Sequence, residues 1–145
     1  MARQGDRAAF GFPRAVMDDR YEFSFSGLKT AVLRETQRLR KNNSEMPTRD
    51  LAASFQTAVV DALVTKTAKA AKEFQVKAVH LTGGVSANSQ LREEMRARLS
   101  PLPVRFPPLS LCTDNAAMIG AAAYYRILGG AQSDLTLDVS PNLPL

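Results

Sequence analysis

The chain has 145 residues, with 19 lysines and arginines against 14 aspartates and glutamates, a formal charge of +5 and a pI near 9.7. At 45% hydrophobic and 23% charged residues it has the composition of a folded domain, which excludes a disordered chain, and its length matches one domain able to bury roughly 68–70% of its unfolded surface. A single cysteine, Cys112, excludes an internal disulfide framework, a single histidine, His80, excludes a self-contained Cys/His zinc site, and no apolar run approaches the ~20 residues of a membrane span.

Residues 1–20 read as an irregular lead-in punctuated by Gly5, Gly11 and Pro13. The start MARQGDRAAFGFPRA has no unbroken apolar core of a secretory signal, so the cytoplasm is the expected compartment. Tyr21, Phe23 and Phe25 alternate with polar residues, the period of a half-buried strand over 21–26. A helix is expected after Gly27, with Leu28, Val32 and Leu39 on its apolar side. Lys29, Arg34, Arg38, Arg40 and Lys41, set against Glu35, give its polar faces a net +4, and it ends in the linker Asn42-Asn43-Ser44. A basic balance of this kind steers association toward acidic partners such as nucleic acid without specifying one, and a merely solvated face is the alternative.

Thr48, after Pro47, is placed to cap a second helix through about residue 74, in which Leu51, Phe55, Val59 and Leu63 recur every four residues. Residues 76–82 are short, β-branched and apolar on both faces, the pattern of a strand buried in a parallel sheet. Gly83-Gly84 breaks the chain, and residues 86–99 return to helical character with Leu91, Met95 and Leu99 on one stripe. Residues 104–106 read as another short strand. Thr113 or Asp114 would cap an apolar helix from 115 to about 128, stopped by Gly129-Gly130. The expected architecture is a single α/β domain over residues 1–145, helices covering a small mixed sheet, with residues 130–145 as a surface tail.

Three places could carry chemistry. In Leu81-Thr-Gly-Gly-Val-Ser-Ala-Asn88 a strand end meets a helix start: glycines admit a ligand to the backbone, the helix N-terminus suits phosphate or ribose oxygens, and the Asn88 amide can donate and accept. An ordinary strand-to-helix turn in which Gly83 and Gly84 relieve strain and Asn88 caps is the alternative, since the spacing is neither GxGxxG nor a Walker sequence. In Leu111-Cys-Thr-Asp-Asn-Ala-Ala-Met118 the Asp114 carboxylate stands at the mouth of an apolar helix, where it either caps the helix or ligates a cation, and Cys112 reads as a small buried hydrophobe, with a minor part in the site as the alternative. In Phe23-Ser-Phe-Ser-Gly-Leu-Lys-Thr30 the junction could present N–H groups and Lys29 to an anion, or simply let Lys29 snorkel. His80 reads as a core or sheet histidine.

Taken in order, GFPRA (11–15), FSFSGLKT (23–30), DLAASFQTAVVDALVTK (50–66), LTGGVSANSQLR (81–92) and CTDNAAMIGAAAY (112–124) resemble the C-terminal part of the tRNA threonylcarbamoyladenosine synthase family, the glycoprotease-like proteins. The resemblance implies one lobe of the two-lobed actin and sugar-kinase (ribonuclease H-like) fold, with nucleotide bound between lobes. It implies transfer of threonylcarbamoyl from threonylcarbamoyl-adenylate to the adenosine beside the anticodon of tRNA. By the same resemblance Asp114 is a metal ligand, for iron or zinc, Asn88 contacts the adenylate, and Gly83 and Gly84 line the nucleotide pocket. Ala116 departs from the glycine the family commonly has there. The family's HxxxH metal histidines and its phosphate-binding glycine segment lie upstream and have no counterpart in this chain, which holds only His80.

The chain is therefore expected to be incomplete and inactive alone, with no catalytic residue identified in it and with the other metal ligands supplied by an upstream lobe. Its implied partners are tRNA, threonylcarbamoyl-adenylate or ATP, that upstream lobe, a non-catalytic paralogue of the same fold, and a second copy in a homodimer. The helix over 48–74 or the one after Asp114 is the expected contact. A non-catalytic nucleotide- or partner-binding module of the same fold is the alternative.

Overall fold

In the computed structural model the described residues are 1–14, 21–43, 45–134, 136 and 138. They form four helices, α1 (Ser26–Lys41), α2 (Thr48–Glu73), α3 (Ser89–Leu99) and α4 (Ala116–Leu128), and two short strands, β1 (Val79–His80) and β2 (Val104–Arg105), besides three 3-10 turns. β1 and β2 pair in parallel, Val79 opposite Val104 and His80 opposite Arg105, joined by the crossover through α3. The small sheet is thus parallel where a mixed one was expected.

The molecule is organised around α2. Leu51 and Ala58 belong to one core with Phe12, Leu28 and Leu39, and Val60 and Val64 belong to a second core with Leu91, Met95 and Leu99. A helix apolar on two sides is a buried spine. The expected row Leu51, Phe55, Val59, Leu63 is only partly the buried one: Phe55 is 40% exposed, while Ala53, Ala58 and Ala62 lie inside, small enough for neighbouring chain to come close. No described helix is long and apolar enough to cross a membrane.

The lead-in is not loose where it is described. Residues 1–14 lie along α2: the Asp6 amide donates to Asp50 Oδ1 at 2.8 Å, the Phe10 amide to Ser54 Oγ at 3.1 Å, and Ser54 Oγ to the Asp6 carbonyl at 3.2 Å. At Gly5 a Cβ would sit 2.1 Å from the Arg49 carbonyl oxygen, so only glycine allows this approach. Asp61 on α2 pairs with Arg14 at 3.2 Å and Arg98 at 3.1 Å, tying lead-in and α3 to the same helix.

The strand expected over 21–26 does not form. Residues 21–25 have no regular secondary structure and no partner strand among the described residues, and α1 begins at Ser26 with Gly27 inside its first turn. The alternation arises from Phe23 and Phe25 stacking on each other, centroids 6.3 Å apart, while Lys66 of α2 donates to the Glu22 carbonyl and lies over the Phe23 ring. The Tyr21 hydroxyl donates to Glu73, and that bond pushes the phenol pKa up to about 12. The parts of the expected lead-in, linker and tail at 15–20, 44, 135, 137 and 139–145 lie outside the described residues.

Candidate functional site

The chain leaves β1 and reaches Gly83, whose φ of +81° with ψ of 173° is open to glycine and costly for any L side chain. A single 3-10 turn, Gly84–Ala87, follows, closed by the Ser86 amide on the Gly83 carbonyl at 2.9 Å and the Asn88 amide on the Val85 carbonyl at 3.0 Å. Gly83 and Gly84 are both exposed, and a Cβ at either would meet nothing within 4 Å, so the backbone here is open to a ligand. Gly84 is not at positive φ, so strain relief explains the first glycine and not the second.

Asn88 caps α3: its Oδ1 accepts the Leu91 amide at 3.0 Å. Its Nδ2 donates to Gln56 Oε1 on α2 at 3.1 Å, Gln56 Nε2 donates to Gln90 Oε1 at 2.6 Å, and Gln90 Nε2 donates to Thr57 Oγ1 at 3.3 Å. The capping role left open in the sequence is thus filled, and the amide is held at a fixed angle. An amide nitrogen carries two hydrogens, and Gln56 takes one.

Arg92, four residues after Asn88 and one turn further along α3, joins the two motif segments. Its Nε donates to the Ser86 carbonyl, and its Nη2 donates to the Pro107 carbonyl at 2.9 Å and to Cys112 Sγ at 3.2 Å. The guanidinium also lies 5.1 Å from the Phe106 ring centroid. Cys112 is buried, as expected of a small hydrophobe, but it also serves as an acceptor for this fork. Sequence reasoning passed over Arg92 and Gln56. The signal for Arg92 was its i+4 spacing from Asn88 inside the 81–92 motif; nothing local marked Gln56, which reaches the turn from a distant helix.

Asp114 is exposed and lies two residues beyond Cys112. It does not cap α4, and neither does Thr113: Asn115 does, its Oδ1 accepting the Met118 amide at 2.9 Å while its Nδ2 donates to the Thr113 carbonyl at 2.9 Å. The Asp114 carboxylate therefore projects from the loop without that structural duty. Among the described residues no group of three or more His, Cys, Asp or Glu side chains could hold a metal ion, so Asp114 can supply one ligand of a shared site and not a complete one.

The remaining candidates stand apart. Thr30 turns its hydroxyl back to the Ser26 carbonyl at 3.0 Å, and the Lys29 side chain is exposed on α1. His80 lies on β1 and is exposed, so of its two readings, core or sheet histidine, the sheet one holds: with two strands among the described residues, one face of the sheet at this position is left to solvent.

The profile of the family described as TsaD, tRNA N6-adenosine threonylcarbamoyltransferase, matches residues 1–121. The protein of that name from Symbiobacterium thermophilum is 53% identical over 147 aligned positions, covering 100% of this chain and 43% of the relative. Those from Moorella thermoacetica and Thermomicrobium roseum are 49% and 47% identical, covering 100% and 99% of this chain and 43% and 44% of the relatives. The chain spans less than half the length of these relatives.

Proposed function

This chain belongs to the tRNA N6-adenosine threonylcarbamoyltransferase family, and from that premise we propose that it is the C-terminal part of such an enzyme, one lobe of an actin-like fold. Its reaction is then the transfer of threonylcarbamoyl from threonylcarbamoyl-adenylate to the adenosine next to the anticodon, and its compartment the cytoplasm. The observation that carries this reading is the Arg92 fork, which draws the turn at Gly83–Asn88 and the segment leading to Asp114 onto one guanidinium.

In this reading the open backbone at Gly83 and Gly84 and the second Asn88 amide hydrogen face the adenylate. Asn88 is oriented for that task by its two internal bonds, so it loses little freedom when a ligand arrives. The Asp114 carboxylate contributes one ligand to an iron or zinc ion whose other ligands come from the part of the relatives that has no counterpart here. Such an ion would act as a Lewis acid on the carbamoyl or carboxylate oxygens of the substrate. With half of the cleft and one ligand, the chain alone is inactive.

The same reading assigns partners to α4. All of its residues are exposed, among them Met118, Ile119, Tyr124, Tyr125, Ile127 and Leu128, and Ile119, Ala122, Ala123 and Ile127 line an open groove of about 540 Å³. α2, the other expected contact, leaves Phe55 exposed and spends most of its other apolar residues on the two cores. We assign α4 to packing against the missing lobe, a paralogue of the same fold, or a second copy of this chain.

Titration calorimetry with ATP or a threonylcarbamoyl-adenylate analogue tests the site. The expected Kd is millimolar, about −4 kcal/mol, because half the cleft is absent, and Asn88→Ala should weaken it further. Binding that is indifferent to Asn88→Ala overturns the pocket assignment.

A further inference from the structure

The two exposed helices of this chain have opposite chemistry, and the difference tells what each meets. α4 is apolar apart from Arg126 in its last turn. α1 turns Leu28 and Leu39 into the core and carries Lys29, Arg34, Arg38, Arg40 and Lys41 exposed. At 3.6 residues per turn Arg34, Arg38 and Lys41 (i, i+4, i+7) form one outward row spanning about 10 Å along the axis, and Lys29 and Arg40, eleven residues apart, form a second row about 120° round the helix, with Leu33 between the two. Glu35 is the helix's single carboxylate, and it is bound to Arg38 at 2.6 Å, which holds its pKa below the usual carboxylate value. Arg38 nonetheless keeps its side chain 60% exposed.

We infer that this outward face of α1 is a docking surface for the phosphate backbone of tRNA, resting on the proposed transferase reading for the identity of the polyanion. A protein interface needs an apolar centre with charges at its rim. On α1 the large exposed hydrophobic residue is Leu33, set among five cations. Phosphate binding needs no apolar centre: it gains from cations that release counterions, and such contacts position a nucleic acid without reading its sequence.

The test is fluorescence anisotropy of the whole chain with a labelled, unmodified tRNA transcript across a salt series. The substitutions Arg34→Gln and Lys41→Gln are compared with Lys77→Gln, an exposed lysine off α1. Each α1 substitution should reduce the slope of log K against log salt by about 0.7–0.9, and Lys77→Gln should leave it near the unsubstituted value. Slopes equal in all three variants, or no tRNA binding even at low salt, overturn the docking surface. Poly-glutamate competing as well as unlabelled tRNA overturns RNA as the occupant in favour of an acidic protein. Nucleotide binding sensitive to Asn88→Ala is measured separately, so loss of this surface and loss of the transferase reading are distinguishable.

Discussion

Two adjacent glycines behave differently, and the difference separates folding from binding at the level of single residues. Gly83 sits at φ +81°, so Gly83→Ala should cost about 1–3 kcal/mol of stability, read from the shift of a urea midpoint. Gly84 has open space and no positive φ, so Gly84→Ala should leave the midpoint within about 0.5 kcal/mol. Any nucleotide binding it removes is then a property of the pocket. Arg92 makes a second residue-scale prediction. Cys112 is buried under its guanidinium, so Arg92→Ala should raise the labelling rate of Cys112 by a thiol reagent about tenfold or more, and lysine should not restore protection because it lacks the planar fork. Unchanged labelling would mean that packing alone holds the 107–112 segment. The glycines were readable in the sequence because their conformational freedom is a property of the residue itself. Arg92 was not, because its partners are two backbone carbonyls and a sulfur whose positions only the folded chain sets.

At the scale of elements, the helices were readable where one apolar stripe meets one core. Leu91, Met95 and Leu99 of α3, and Leu28 and Leu39 of α1, are buried as their spacing requires. α2 hid its packing because it is buried on two sides, and its small alanines matter more than the large residues that mark the period. The strand expected at 21–26 failed for another reason: alternation of Tyr21, Phe23 and Phe25 is satisfied by ring stacking and by Lys66 without any neighbouring strand. α4 is the element whose sequence and surroundings disagree most, an apolar helix with none of its residues buried. Replacing Ile119 and Ile127 by glutamate should therefore lower binding of a hydrophobic dye and any self-association, while the unfolding midpoint stays within about 0.5 kcal/mol. A loss of 2 kcal/mol or more would show that α4 packs on this chain's own core.

At the scale of the whole molecule, α2 joins two small cores, and the features with chemistry to offer lie on its surroundings: the glycine turn, the Asp114 loop, the cationic face of α1 and the apolar face of α4. On the proposed reading each of them meets a part of the enzyme or a partner outside this chain, which covers 43–44% of its relatives. The site's motifs were readable by resemblance, and Asp114 has no two further ligating neighbours among the described residues, so the proposed metal role draws its other ligands from outside them. On the proposed reading this chain supplies one half of a threonylcarbamoyltransferase site. The most direct test of that reading is threonylcarbamoyl transfer to tRNA, measured with this chain, with the segment of the Symbiobacterium thermophilum relative that it does not cover, and with both together. Neither piece should transfer alone, the mixture should, and Asp114→Ala should abolish that transfer. Transfer by this chain alone, or an active mixture indifferent to Asp114→Ala, would contradict the reading.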